Sequence, residues 1–487
     1  MKEHKDNKFL LLTTSLLVDR VFLYSNMLDQ LKRYGDVQIW ASSARNDKNH
    51  TVWQNSRAEV SGFPDVLPFK EFPYNFLRRL NEFVWDYRFP LSSRVSMARH
   101  IRNHRQEKLI KSLKLPARVI AGLRGEKLLE SSVEKLLLSY PRSESAETRL
   151  KELKPSVLFS TGPFQFEQPA IFSAAKRLGI PTVAYIPSWD NVTTKNRMLF
   201  QYDGYVVWSE QTKTELAEVY PATKEKPVYV VGAPQYDVFR REEFYRTREE
   251  FCRQLGLVPN LPVIVYALGS PNFLKEHHGA IELAKRIDRG EMGDVQMLVR
   301  PHPIHDNAEL VEIFAQYAPR VRVQKNPNAG RALNERSQDI EQVIEWVNTF
   351  RHADVVVNMS STVTIDAALF DRPIVNLDFD PHPSRTQQEL ITEINHEWRH
   401  FQPVAESGGV WLVKDFDELA NAVKTYIEEP TRHSAERRWI TKYVCEHIDG
   451  RCGERMADAL NEFVTKDLSY ANASARAQRD FAVAKQF

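Results

Sequence analysis

The sequence predicts an α/β protein made of two consecutive parallel-sheet units that face each other across a cleft. Three observations carry this. Short β-branched runs alternate with amphipathic helical segments in both halves of the 487-residue chain. The turn Gly232-Ala233-Pro234 interrupts the alternation near the middle, after which it starts afresh. A stretch of cations and aromatics breaks the rhythm early in the first half. The expected boundaries are 1–232 for the first unit, with a helical basic insertion at about 50–150, and 233–430 for the second. C-terminal helices at 431–468, crossing back, and a flexible tail at 469–487 complete the chain.

In chain order, strand-like runs at Phe9 to Thr13 and Val37 to Trp40 flank a helical pattern from Val18 to Arg33. Strands follow at Val157 to Ser160, Thr182 to Ile186, Tyr205 to Trp208 and Val228 to Val231, with helices between them. In the second half, apolar runs at Val263 to Leu268, Val295 to Val299, 321–324, Asp354 to Asn358, Pro373 to Leu377 and Val410 to Val413 alternate with helical patterns. The last of these patterns covers 432–465.

Composition bounds the function. With 42% hydrophobic and 27% charged residues the chain has a globular composition, and its size suits two or three cores. A formal net charge of +2 argues against a dedicated nucleic-acid binder, which needs a strong basic excess. Cys252, Cys445 and Cys452 form neither a metal-type pair nor an even disulfide set, which fits a reducing, cytoplasmic setting. The apolar run Phe9 to Leu12 is too short for an export signal and reads as the first strand. No segment has the length and hydrophobicity of a bilayer span. Membrane contact is therefore expected to be peripheral, at the inner face of the cytoplasmic membrane. The insertion is its expected seat, because cations from Arg78 to Arg124 outnumber the acids there and are interleaved with Phe72, Tyr74, Phe83, Trp85 and Phe89.

Two loops point to an anion. Ser360-Ser361-Thr362 lies between a strand and a helix, where unpaired N–H groups favour a phosphate. Upstream, Arg300-Pro301-His302-Pro303 ends another strand and offers a fixed cation beside a titratable donor. Gly269-Ser270 closes a third strand with small residues that let backbone approach a ligand. In open α/β sheets the ligand crevice lies at the carboxyl ends of the strands, so these loops can converge on one diphosphate.

The motifs RPHP at 300–303, SST at 360–362, Asp366 in the following helix and DGRCGERMADAL at 449–460 resemble the GT-B superfamily of nucleotide-sugar transferases, two Rossmann-like domains around a cleft. The resemblance is nearest to the CDP-glycerol glycerophosphotransferases and to the Kdo and sialic acid transferases of surface polysaccharides. It implies a donor site in the second unit, with His302 at the donor phosphate, Ser360, Ser361 and Thr362 around it and Asp366 toward the ribose. Arg451 and Arg455 would fold back toward the same cleft. The implied donor is a nucleotide-sugar or nucleotide-polyol, CDP-, CMP- or UDP-linked, and the acceptor a glycan or lipid-linked chain.

Transfer requires a stabilised leaving phosphate and a base for the acceptor hydroxyl. Arg300, His302 and the hydroxyl turn suit the first task without a metal. Asp190, in the loop Trp189-Asp190-Asn191, is the preferred base, with Glu167 and Asp19 behind it. Asp378-Phe379-Asp380 spells a D-x-D string, too short a pattern to assign a metal, and no cofactor is expected. Two alternatives share the fold: an epimerase of the UDP-GlcNAc 2-epimerase kind and a non-catalytic nucleotide-sugar-binding protein.

Overall fold

The computed structural model describes residues 7–466 apart from 46–51, 55, 57, 101–106, 141, 271–273, 275, 303–306, 328 and 330–338. The tail expected at 469–487 lies outside the described residues, as do Arg102, Arg105 and Pro303.

Two parallel sheets form the frame. The first contains β1 (Asn7–Thr13), β2 (Gly35–Ala41), β3 (Glu59–Gly62), β4 (Val157–Ser160), β5 (Thr182–Tyr185), β6 (Gly204–Val207) and β7 (Val228–Val230), in the spatial order β3-β2-β1-β4-β5-β6-β7. The second contains β8 (Val263–Ala267), β9 (Gln296–Arg300), β10 (Val321–Val323), β11 (Val355–Asn358), β12 (Ile374–Leu377) and β13 (Trp411–Val413), in the order β10-β9-β8-β11-β12-β13. Every strand pair in both sheets is parallel. β4, β5, β6, β8, β11 and β12 are buried along their whole length, the pattern of strands covered by helices on both faces. In each sheet the order reverses once, between β1 and β4 and between β8 and β11, which opens a crevice at the strand ends.

Three departures from the sequence reading have local causes. β3 falls inside the stretch expected as insertion; it is a four-residue, mostly half-exposed edge strand with little apolar signal. The pattern over Val18 to Arg33 breaks into helices Leu16–Tyr24 and Met27–Leu31, because the Ser25 hydroxyl donates to the Val21 carbonyl at 2.6 Å and accepts from the Met27 N–H. The long C-terminal pattern splits after the helix Ser434–Cys445, where Glu446 and Gly450 adopt positive φ, and resumes as a helix over 452–466.

That last helix crosses back to the first sheet. Phe463 sits against Gly204, where a Cβ would come within 3.0 Å of its ring, and Asp458 accepts hydrogen bonds from Gln30 and Tyr34, both at 2.7 Å. Its first N–H groups, from Cys452 and Gly453, donate at 3.0 and 2.7 Å to the buried carboxylate of Asp237, on the segment Pro234–Arg240 that carries the chain out of the first sheet. The outgoing and returning crossings are thus clasped together.

The insertion folds into the helices Tyr74–Arg88, Ser92–His100, Glu107–Gly122 and Glu126–Leu138. Much of its expected positive charge is consumed internally: Arg78 and Arg79 pair with Glu82, Arg88 with Glu126 and Arg94 with Asp86. Its second helix makes a polar latch to helix Gln388–His396 of the other unit. There Glu393 accepts from Ser96, from Arg99 at 2.6 Å and lies 3.1 Å from His100, while Arg99 also reaches Glu389 at 2.8 Å. No helix among the described residues is long and apolar enough to cross a membrane.

Truncating Phe463 to Ala removes a 5%-exposed ring from the return helix and is expected to cost about 3 kcal/mol. Urea denaturation of the full chain checks this; an unchanged midpoint rejects the packing role of the crossing helix.

Candidate functional site

A cleft of about 610 Å³ lies between the two units, and both sheets contribute to its walls. From the second sheet come the loops after β8 (Gly269, Ser270), β9 (Arg300, His302) and β11 (Ser360, Ser361, Thr362), with Asp366 one turn further on. β9, β8 and β11 are adjacent strands, so three loops distant in sequence leave the sheet side by side at its reversal point. All eight donor-side residues expected from the sequence line this one cleft.

The turn after β11 is built to present backbone. Asn358, fully buried, accepts at Oδ1 from the N–H and hydroxyl of Ser361, at 3.1 and 3.2 Å, and from Thr364 at 3.3 Å. Ser360 adopts a left-handed conformation, φ 45°, and its hydroxyl donates to Asn395. The backbone N–H groups of Ser360 and Thr362 meet no acceptor among the described residues. The helix that follows, Val363–Leu369, has only seven residues, so the dipole expected from the sequence is short. Local N–H groups and the Arg300 guanidinium in the same cleft are the stronger attractants for an anion.

Arg300 is held over the Phe350 ring at 5.3 Å, and no carboxylate lies within 4.0 Å of it among the described residues. Asp366, also buried, accepts from Trp346 Nε1 at 3.2 Å; burial pushes its carboxyl above the usual range, against the pull of Arg300. On the β8 side Glu276 is 2% exposed, and one carboxylate oxygen accepts from the Gly269 N–H while the other is buried without a partner among the described residues. Burial raises its carboxyl to about 8, which keeps it neutral at physiological pH.

From the first sheet come Asp190, its neighbours Ser188 and Trp189, and Arg20. Asp190 accepts from Ser188, from Asn191 at 3.2 Å and from Thr194 at 3.0 Å. Burial pushes its carboxyl up, but His400, Lys195 and these hydroxyl donors together hold it below the usual range, so it is ionised in the cleft. Trp189 is 1% exposed and packs edge-on against His400, with ring centroids 5.2 Å apart. It is a wall of the cleft, not an open stacking platform.

Other expected residues lie elsewhere. Glu167 stands just before the helix Gln168–Arg177 without capping it, pairs with Lys70 at 2.9 Å and is not among the cleft-lining residues. Asp19 is buried behind the cleft, where Thr13 and Ser43 donate to it at 2.6 and 2.7 Å and tie the β1 and β2 loops together. Arg451 and Arg455 do not fold back into the cleft; they pair with Glu454 and Asp449 on the surface. In the D-x-D string, Asp378 accepts from Asn395 and His396, both at 2.9 Å, and Asp380 from the N–H groups of His382 and Gln387. Both carboxylates therefore serve as loop braces. One carboxylate and imidazole cluster compatible with a cation occurs among the described residues, His100, Glu389 and Glu393, and the Arg99 guanidinium already occupies it.

Arg20, Glu276 and His400 also line the cleft, and none of them was a candidate site residue from the sequence. His400 has its Nδ1 3.1 Å from the Thr193 hydroxyl, and burial pushes it down to about 4, so it is neutral.

The sequence model of the CDP-glycerol:poly(glycerophosphate) glycerophosphotransferase family matches residues 172–462, more than half of the chain. The chain belongs to that family. The match covers β8 through β13, all the donor-side loops and Asp190. Membership makes the protein a transferase that acts on a nucleotide-linked donor. No curated protein matches the chain. Among solved structures, the S. aureus MnaA structure with UDP is similar over 94% of this chain and 97% of its own, at 10% identity and TM-score 0.53. A UDP-N-acetylglucosamine 2-epimerase from Listeria monocytogenes gives the same coverage and TM-score at 12% identity. At this identity the likeness is one of fold: two Rossmann-like domains in the GT-B arrangement.

Because Glu276 has a raised carboxyl, its contribution to stability is fully present below the ordinary carboxyl range and is lost as pH rises through about 8. Glu276→Gln keeps an acceptor for the Gly269 N–H and removes the titration. Thermal melts from pH 6 to 9 are expected to fall less steeply for the variant; parallel curves reject a buried neutral carboxyl.

Proposed function

We propose that the protein moves a polyol phosphate or a sugar from a nucleotide-activated donor to a surface-polysaccharide or lipid-linked acceptor, without a metal. The observation that carries this reading is the meeting of Arg300, His302, Ser360, Ser361 and Thr362 in one inter-sheet cleft. A guanidinium, an imidazole and free N–H groups on adjacent strand ends suit a diphosphate, and family membership supports the transfer chemistry.

In glycerophosphoryl transfer the acceptor oxygen bonds to the distal phosphorus, the P–O bond to the nucleotide breaks, and a nucleoside monophosphate leaves. In this reading Arg300 and the N–H groups after β11 bind the charge that develops on the departing phosphate. His302 is a side chain in the cleft whose chemistry suits proton transfer near neutrality. Asp190, ionised but already carrying three donors, orients the acceptor hydroxyl.

The acceptor's setting is proposed to be an anionic membrane surface. The helix Glu107–Gly122 buries Leu113, Ala117 and Ala121 against Leu80 and Val84, and presents a second apolar stripe outward. Leu115 and Leu123 are 72% and 79% exposed, with Val119 between them and Lys114, Arg118 and Arg124 alongside. Apolar residues rimmed by cations suit the headgroup region of an anionic bilayer.

Two experiments test these readings. With a panel of CDP-, CMP-, UDP- and GDP-activated donors and an acceptor extract, the protein is expected to release nucleotide, and His302→Ala to lose at least about 100-fold in turnover without a change in melting temperature. Normal turnover in that variant rejects the site. The protein is also expected to co-sediment with phosphatidylglycerol vesicles and to lose this with Leu115→Glu and Leu123→Glu together; a wild-type protein that stays in the supernatant rejects the membrane contact.

A further inference from the structure

A buried guanidinium is costly unless carboxylates or carbonyls surround it. Most buried arginines of this chain obey that rule. Arg437 pairs with Asp371 at 2.8 Å and donates to the carbonyls of Arg432 and Pro430. Arg197 pairs with Glu130 and donates to the Val219 carbonyl. Arg78 pairs with Glu82 at 2.9 Å.

Arg20 does not. It is 5% exposed, carried by the helix Leu16–Tyr24 of the first unit, and lines the cleft. Its guanidinium lies over the Trp346 indole at 3.8 Å, a face that holds a cation without neutralising it. Among the described residues it makes one hydrogen bond, a long one, 3.3 Å from Nη2 to Gln235 Oε1, and its Nε is buried with no acceptor. No carboxylate lies within 4.0 Å among the described residues. Across the cleft Arg300 likewise has no carboxylate within 4.0 Å among the described residues. Asp366 attracts both from beyond ion-pair distance, and Glu345 attracts Arg300 as well. Arg20 therefore has no carboxylate of its own and shares the attraction of Asp366 with Arg300.

We propose that Arg20 binds the donor phosphate farther from the nucleoside, reaching it from the first sheet while the loops of the second sheet hold the nearer phosphate. The assignment rests on the donor-site reading above. The loops after β8, β9 and β11 belong to one unit and leave little choice about which side holds the nucleotide. Arg20 approaches from the opposite unit, the side of Asp190, and so meets the phosphate that faces the acceptor. Its planar fork, preset by Trp346 and Gln235, has free N–H groups to offer two oxygens of that phosphate. Arg20 thereby makes donor binding a contact between units, with a role in positioning the group to be transferred.

Calorimetric titration of the full chain with cytidine and uridine mono- and diphosphates tests this. The wild type is expected to bind the diphosphate of the preferred base at least about 10-fold more tightly than the monophosphate. Arg20→Ala is expected to lose about 10-fold for the diphosphate and less than about 2-fold for the monophosphate. Arg20→Lys, which keeps the charge and guards against a folding defect, is expected to recover part of the diphosphate affinity only. Equal losses for both nucleotides, or none for either, overturn the assignment. If the wild type binds no nucleotide, the donor-site reading fails and this inference falls with it; a wild type that binds while the Arg20 variants bind identically defeats this inference alone.

Discussion

The arrangement of the cleft depends on one buried carboxylate. Asp237 sits where the chain leaves the first sheet, and it accepts the first N–H groups of the helix that brings the chain back. It thus caps a helix more than two hundred residues away in sequence, supplying negative charge where the helix needs it. The backbone fits closely around it. Gly232 has φ +89° and no room for a Cβ beside the Cys452 sulfur, and a Cβ on Gly453 would collide with Ser25. Around this clasp Phe239 stacks on Phe370 at 4.8 Å and packs on Trp346 at 4.5 Å, so the crossing is apolar outside and polar within. With the crossings fixed, the strand ends of the two sheets face the same space.

The molecule spends its charges differently in the helical insertion and in the cleft. In the helical insertion arginines and carboxylates neutralise one another, leaving the surface character to a stripe of exposed leucines and a few cations. In the cleft the opposite holds: Arg20 and Arg300 have no carboxylate within 4.0 Å among the described residues, while Asp190 accepts from three donors. A saturated carboxylate and unsatisfied cations are what a site for an anionic ligand requires, because the ligand then supplies the missing counter-charge.

How much of this was legible in the sequence follows from what kind of signal each feature has. The strands were legible because a parallel strand buried on both faces is a continuous apolar run, as in Val263–Ala267 and Val355–Asn358. The loops that end them followed at once, which is why Arg300, His302 and Ser360 to Thr362 were found together. Residues whose place depends on tertiary packing were not legible. Arg20 lies on a helix whose rotation against Trp346 no periodicity specifies. His400 reaches the cleft through a contact with Thr193 of the other unit. Glu167 and Asp19 had the right chemistry and the wrong surroundings, since Lys70 holds the first outside the cleft and two hydroxyls lock the second behind it. β3 escaped notice because an exposed edge strand needs little hydrophobicity.

The latch between helices Ser92–His100 and Gln388–His396 gives the two units a second junction of another character. The clasp is sunk in apolar packing, whereas the latch is a handful of partly exposed ion pairs bordering the cleft at Met97 and Trp398. Ions in solvent screen the latter and scarcely touch the former. Added salt is therefore expected to loosen the junction made by the helical insertion and to leave the buried crossing intact.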